Sequence, residues 1–313
     1  NGSNNTTIAS SSIYGNGGTG VTLTSAINAS ITNSNIYNNT GSGVNVNSAN
    51  NITFSNNTFT NNTSYAAYLS FSNGTFTSLA GNSGSGNGKN GIALAGTIGA
   101  NTTLPVNQNF PYIIPVAGLA VNTGATLTVP PESIIKFDHV NAALTILGTL
   151  QSMGTVSSPI YFTSIKDDTV GGDSNGDGTA TVPANGDWEN IIVQGVVNFD
   201  YTSILYGGYY ANSSDLGSLR LYGNSQATIS RSTIAKSYRS GVYVSNSYGQ
   251  TVTLNIDNSA LENNAYYGVY SGNLGVVNVA IANSNLRNNV LGGVYLNGSN
   301  NTTIASSSIY GNG

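Results

Sequence analysis

The chain has 313 residues, a net charge of −4 and only 6% charged side chains, with 39 Gly, 47 Asn, 7 Pro and no Cys. Eight Lys and Arg without a basic run exclude a basic nucleic-acid binder, and the missing Cys excludes a disulfide scaffold or a thiolate zinc site. The absence of periodic Glu/Lys/Arg/Ala segments argues against a helical bundle, regularly spaced Ile, Val, Leu and Tyr argue against a disordered linker, and no run of 18 apolar residues is present to span a membrane.

Residues 1–17 read NGSNNTTIASSSIYGNG, and residues 297–313 repeat that string at an offset of 296. This identity predicts a window cut from a tandem array with a 296-residue period, in which Asn1 is an arbitrary starting point. A local duplication inside a single-copy protein is the other reading.

A shorter repeat runs inside the period. Gly20-Val21, Gly43-Val44, Gly91-Ile92, Gly241-Val242, Gly268-Val269 and Gly293-Val294 recur at steps of 23 to 27 residues, with Ala67 in the matching place. Such a period signals a solenoid. Each unit carries short alternating stretches: Val21-Thr22-Leu23, Ser30-Ile31-Thr32 and Asn35-Ile36-Tyr37, then Val44-Asn45-Val46, Ile52-Thr53-Phe54 and Thr58-Phe59-Thr60. Period-two alternation over three to five residues is a short strand with one buried face. Three such strands broken by Gly, Asn and Ser make one rung of a parallel β-helix. Asn tolerates the left-handed backbone of tight corners and stacks into ladders on successive rungs. We divide the chain into rungs over 1–98, a continuation with longer loops over 99–215, and rungs again over 216–313. Val121, Leu127–Val129, Ile134–Phe137 and Leu144–Leu150 supply strands of the middle part. At ~24 residues per rung the period holds about 12 rungs and rises on the order of 58 Å, with uncapped ends.

The strings GVYLNGSNNTTIASSSIYGNG and GVNVNSANNITFSNNTFTNN resemble the right-handed β-helix repeats of the pectate-lyase-like and NosD-like superfamily, over roughly 1–98 and 216–313. The resemblance implies an all-β, right-handed parallel β-helix and is nearly silent on function. The middle segment, with LTILGTLQSMGTVSSPIYFTSIKDDTVGGDSNGDG and GDWENI, resembles a module that accompanies such repeats in large bacterial and archaeal surface proteins, which implies an extracellular, cell-surface setting.

Charge is unevenly placed. The first 88 residues hold no charged side chain, whereas Asp167, Asp168, Asp173, Asp177, Asp187 and Glu189 fall within 23 residues. Asp173, Asn175, Asp177, Gly178 and Thr179 match the first half of a calcium loop, with oxygen donors at alternate positions and Gly for the sharp turn. Position 12 is Ala184 rather than Glu, so Asp167, Asp168 or Asp187 would have to complete the shell around a structural Ca²⁺. A solvated acidic loop is the plainer alternative.

Lyases and hydrolases of the resembled fold use carboxylates with an Arg or Lys base, or paired acids. Here Lys166 adjoins the acids, but the hydrolase signatures Gly-His-Gly and Arg-Ile-Lys are absent. His139 reads as an ordinary loop or strand residue, and Lys136 with Glu132 as a surface ion pair of little weight. Asn-x-Ser/Thr sequons at Asn28, Asn51, Asn73, Asn101 and Asn212 are glycosylation candidates. Nineteen Tyr, including Tyr209-Tyr210 and Tyr266-Tyr267, either pack over rung corners or stack on sugars.

The expectation is a non-enzymatic structural unit of an extracellular filament or stalk, partnered chiefly by further copies of itself, end to end or in lateral bundles. A surface adhesin or carbohydrate-binding module is the alternative. A polysaccharide lyase with Asp167, Asp173, Asp187 and Lys166 around a cleft is the third reading.

Overall fold

The computed structural model describes residues 2–107, 109–209, 217–272 and 275–313. Among these residues there are 35 strands and no helix, joined by parallel pairings between successive turns of a solenoid. One turn contributes a strand to each of three faces. The second turn supplies Val21–Thr24, Ser30–Thr32 and Asn35–Tyr37. The third repeats them as Val44–Ala49, Ile52–Ser55 and Thr58–Thr60.

The Gly-Val repeat of the sequence is the register of the first face. Val21 pairs with Val44, Val44 with Ala67 and Ala67 with Ile92, and Val242 pairs with Val269 and Val269 with Val294. Alternation along each strand sends every second side chain inward. Val21, Leu23, Ile31, Ile36, Val44, Val46, Phe54 and Phe59 are buried and belong to one core cluster that runs the length of the chain. The strand Lys89–Ile98 is long enough to pair with Tyr112–Ile114 through Ile92 and Ala93, and with Leu119–Val121 through Gly96, Thr97 and Ile98. It fuses two faces at the point where the regular turns meet the longer-looped middle.

The chain winds about twelve turns, from the partial turn Thr7–Ala9 and Ser12–Tyr14 to Gly292–Asn297, Asn301–Ala305 and Ser308–Tyr310. The last two of these strands repeat the first two. A single 296-residue period therefore holds eleven strands of each face and rises about 53 Å. The long segment between Ser164 and Ile191 accounts for the difference from the 24-residue arithmetic.

Corners explain the Asn content. The regular turns share a pair of positive-φ residues five positions apart: Asn33 and Asn38, Asn56 and Asn61, Asn258 and Asn263, Asn283 and Asn288, all between 48° and 56°, to which the second and third turns add Ser25, Asn28, Ser48 and Asn51. Gly81 with Gly86 and Ser306 with Gly311 occupy the same two places. Asn reaches this region with little strain because its short amide bonds locally. The residue after each corner points inward and is polar. Asn39, Asn62 and Asn87 form one buried ladder: the Asn39 backbone N–H and Nδ2 donate to Asn62 Oδ1 (3.3 and 2.8 Å), and those of Asn62 donate to Asn87 Oδ1 (3.0 and 2.8 Å). Ser34, Asn57, Asn82 and Asn107 form the second, by backbone N–H donation to the side-chain oxygen one turn on.

In the eighth and ninth turns the corners hold Tyr201, Tyr206, Arg231 and Lys236, also at positive φ. Larger side chains there cost strain. They recover contact by stacking across turns, with the Arg231 guanidinium 5.1 Å from the Tyr201 ring centroid and Lys236 Nζ 4.7 Å from that of Tyr206.

Adjacent asparagines therefore have different jobs, and substitution separates them. Asn62→Ala removes the acceptor of Asn39 and strands buried backbone groups, so it is expected to destabilise by about 2–4 kcal/mol. Asn61→Gly keeps the left-handed corner and is expected to change stability by less than about 1 kcal/mol. Denaturant unfolding of the two variants checks the contrast.

Candidate cation site in the acidic loop

The strand Ile160–Ser164 is followed by a segment that leaves the solenoid, runs over its outer surface and re-enters at the strand Ile191–Val193. Ile165 buries itself against Ala93 and Ile113, outward-facing residues that Tyr65 and Tyr68 also flank. Lys136, on the outer side of Ile134–Phe137, is fully covered, and its Nζ donates to the carbonyls of Asp167 (2.9 Å) and Gly172 (2.7 Å). The expected surface pair with Glu132 is replaced by this buried ammonium. Burial lowers the Lys136 pKa to about 8, against the opposing pull of Asp167, Asp168 and Asp173.

The tip of the segment is organised by Asp173. Its Oδ1 accepts from the N–H of Gly176 (2.7 Å) and Asp177 (3.2 Å), and its Oδ2 from Gly178 N–H (2.8 Å). Gly176 and Gly178 take positive φ, as the spacing predicts. This tight turn brings carboxylate oxygens of Asp168, Asp173 and Asp177 within 4.8 Å of one another. Asp177 Oδ2 accepts from Asn175 Nδ2 (2.8 Å) and Thr181 Oγ1 (2.5 Å). Asp168 Oδ1, Asn175 Oδ1 and Asp177 Oδ1 are shielded from solvent without a hydrogen-bond partner. Partial burial first, then Asp173, raises the Asp168 pKa. Clustered hard oxygens with unspent lone pairs fit Ca²⁺ and, with no imidazole or thiolate in the set, do not fit zinc.

The other expected ligands lie elsewhere. Asp167 is buried and accepts from Thr163 Oγ1 (2.7 Å) and Thr169 Oγ1 (2.5 Å). Asp187 accepts from Ser164 Oγ (2.7 Å), Lys166 Nζ (2.7 Å) and Ala184 N–H (3.0 Å), pinning the returning limb to the strand it left. Thr179 is exposed. The carboxylates that cluster are Asp168, Asp173 and Asp177, with Asn175 bonded to Asp177, whereas Asp167 is engaged by Thr163 and Thr169, and Asp187 by Ser164 and Lys166.

Sequence reasoning missed one buried polar group. Asp138, whose side chain is 2% exposed, accepts from the Tyr65 hydroxyl and from Lys89 Nζ (2.6 Å), which also lies 4.7 Å from the Tyr65 ring centroid. Burial and the Asp138 hydrogen bond push the Tyr65 phenol well above its ordinary value. Tyr65 and Lys89 are neighbours in register, but Asp138 arrives from a later turn, and no spacing signals it. His139 accepts from Asn141 N–H through Nδ1 (3.1 Å), within an exposed corner.

Asn28, Asn51, Asn73 and Asn101 are exposed, and Asn212 lies outside the described residues. Asn51 Nδ2 donates to Asn28 Oδ1 (2.7 Å) and Asn28 Nδ2 to Asn5 Oδ1 (3.3 Å), so these amides form an outer ladder on adjacent turns. A sugar is thicker than the ~4.8 Å between turns, so Asn28 and Asn51 do not carry glycans together without breaking it. Asn73 and Asn101 use only their Oδ1, as acceptors from Asn122 Nδ2 and Thr126 N–H. The Tyr243, Tyr270 and Tyr295 rings stack on one another at 5.5 and 4.9 Å, each pair tilted by 8°. A cavity of about 150 Å³ beside Phe110, Tyr112 and Ser133 has Glu132 as the one carboxylate among its described lining residues. No helix among the described residues is long and apolar enough to cross a membrane.

Residues 1–129 and 217–313 match the family described as a right-handed β-helix region. No curated protein and no solved structure matches the chain.

Calcium is expected to bind with Kd on the order of 10⁻⁴ M. Asp173→Asn and Asp177→Asn are each expected to weaken it at least tenfold, and Thr179→Ala to leave it unchanged, by calorimetric titration. Without divalent cations, Lys136 releases its proton in the folded chain near pH 8 and in the unfolded chain nearer its ordinary 10.5. The unfolded state then holds more protons, so this group makes stability rise with pH across that window. Lys136→Met is expected to remove the rise in unfolding free energy measured from pH 7 to 10.5.

Proposed function

The chain belongs to the right-handed β-helix family, and from that premise we propose that its role is mechanical: it is a repeat unit of an extracellular filament or cell-surface stalk, continuing end to end as one β-helix. The observation that carries this reading is the fate of the two buried ladders at the repeated segment. Near the C-terminal end Asn264 Nδ2 donates to Asn289 Oδ1 (2.8 Å) and Asn289 Nδ2 to Asn312 Oδ1 (3.0 Å). Near the N-terminal end Asn16, the residue equivalent to Asn312, donates to Asn39 Oδ1 (2.8 Å). The second ladder behaves alike, with Ser284 N–H donating to Ser307 Oγ (3.2 Å) and Ser11 N–H, the equivalent of Ser307, to Ser34 Oγ (3.2 Å).

Strand register agrees. Leu286 pairs with Ile309, and Ile13, the equivalent of Ile309, pairs with Ile36. Joining copies at the repeat would therefore leave neither ladder nor sheet interrupted. It would also bury Ile304 and Ile309, which are 42% and 45% exposed, whereas Ile281 and Leu286 one turn earlier are 1% and 0% exposed. Burying an Ile side chain contributes roughly 1.5–3 kcal/mol.

The adhesin reading draws less support. A sugar packs on an open aromatic face, and the Tyr243–Tyr270–Tyr295 rings cover one another's faces. The lyase reading draws less again, since Lys166 and Asp187 are paired with each other. In the mechanical reading the acidic loop holds a structural Ca²⁺, which would offset most of the charge of three carboxylates that otherwise repel. Asn73 and Asn101 are the sites best placed for a glycan coat.

Electron microscopy of a tandem of several copies is expected to show an unbranched fibre with an axial repeat of about 53 Å. Discrete particles that do not lengthen with copy number would overturn the filament reading.

A further inference from the structure

The outer segment between Ser164 and Ile191 bridges turns that are far apart along the solenoid. It leaves from the seventh turn and descends past Lys136 of the sixth. At its apex, Ser174 O accepts from Asn90 N–H (2.9 Å) and Asp173 O from Asn90 Nδ2 (3.3 Å), at the start of the fifth turn. Asn90 Oδ1 in turn accepts from Asn87 N–H (2.9 Å) and Nδ2 (3.0 Å), so the apex holds the residue that closes the Asn39–Asn62–Asn87 ladder. The segment then returns and overshoots. The N–H groups of Gly186 and Asp187 both donate to Tyr206 O (3.0 Å) in the eighth turn, and Asn185 Nδ2 donates to Ser237 O (3.4 Å) in the ninth. Trp188 completes the return, fully buried, stacked on Phe137 at 3.9 Å and donating through Nε1 to Leu205 O (2.8 Å).

We infer that this segment is an axial strap that locks the fifth to ninth turns, on the order of 20 Å of the axis, into one cooperative block. A plain solenoid is held only by contacts between neighbouring turns, so it opens turn by turn from any weak point. A strap anchored at both ends of five turns makes opening anywhere among them cost anchors at a distance. The turns before Lys89 and those after Ser237 lie outside the strap and are the compliant part of each period. A tandem array then alternates stiff and yielding lengths, with load taken up first in the yielding ones. The strap rests on its own anchors rather than on bound cation: the bonds to Asn90, Tyr206 and Ser237 use backbone carbonyls and N–H groups and the Asn90 and Asn185 amides, and none uses the side chains of Asp168, Asp173, Asn175 or Asp177.

Between its anchors the strap is exposed at Val182, 73% accessible. A recognition sequence for a site-specific protease inserted after Val182 allows the strap to be cut with every anchor and the cation cluster left in place. The same insertion after Val156, an 81% exposed corner that bridges no distant turns, is the control for chain scission itself. Cutting after Val182, but not after Val156, is expected to speed amide exchange over 87–95 at least tenfold and to split one unfolding transition into two. Equal exchange and a single transition in both cut proteins would overturn the strap. Calcium titration of the uncut protein is read separately, and its failure would overturn the cation reading while leaving the strap standing.

Discussion

The structure depends on how a backbone turns two corners five residues apart in each turn without leaving a buried N–H unpaired. At each corner the chain needs one residue with positive φ, and the strand ladder is interrupted just beyond it. The interrupted N–H then requires an acceptor that the backbone does not supply. Here the acceptor is a side chain from the next turn: Asn62 Oδ1 for Asn39, Asn289 Oδ1 for Asn264, Ser259 Oγ for Ser232. The pairing of a left-handed residue with an inward polar one, as in Asn38-Asn39, Asn61-Asn62 or Asn283-Ser284, is the unit from which the cross-section is built.

Much else follows from that unit. With corners fixed five residues apart, the strand between them has room for one inward side chain, so Ile36, Phe59, Leu261 and Leu286 stack in file and the core is a column rather than a layer. The outer surface carries little of the fold, which permits the scarcity of charge. Where charge does occur it is tied to neighbouring turns, as with Arg231 on Asp200 (2.6 Å) and Arg287 on Glu262 (2.5 Å). Exposed pairs of this kind contribute little on their own. Their consequence is to tie adjacent turns by side chains as well as by backbone.

The regular turns were legible because their chemistry is local and repeated. Gly-Val spacing gave the register, and alternation gave the strands, including Ile134–Phe137 in the middle part. The Asp173–Gly178 turn was legible for the same reason, since its hydrogen-bonding partners lie within a few residues. Asp167 and Asp187 were not, because their partners Thr163, Thr169, Ser164 and Lys166 are chosen by where the limbs cross the strand they left. Lys136 read as a surface residue because alternation places it outward. Only a segment folded back over that face turns outward into buried. The two asparagines of each pair were also indistinguishable by composition, although one faces solvent and one the core.

The same logic gives a purpose to the irregular turns that interrupt the 23- to 27-residue repeat. Turns that differ only slightly offer many nearly equivalent pairings, and a slip by one whole turn would preserve every inward and outward side chain. Slippage of that kind is the failure to which weakly specified strands are prone. The fifth to ninth turns remove the degeneracy: Lys89–Ile98 is unusually long, Trp188 fits only over Phe137 and against Gly207, and the strap reaches fixed positions at Asn90 and Ser237. A solenoid slipped by one turn would lose these contacts together. The ladders add direction, because the N–H donors point toward the C-terminal end and the acceptors toward the N-terminal end. In the filament reading, copies joined through them would meet head to tail along the solenoid axis, and a head-to-tail interface whose rotation does not close a ring extends as an open filament. The irregular block sets the register, and in the filament reading the regular turns on either side would carry it across the joint.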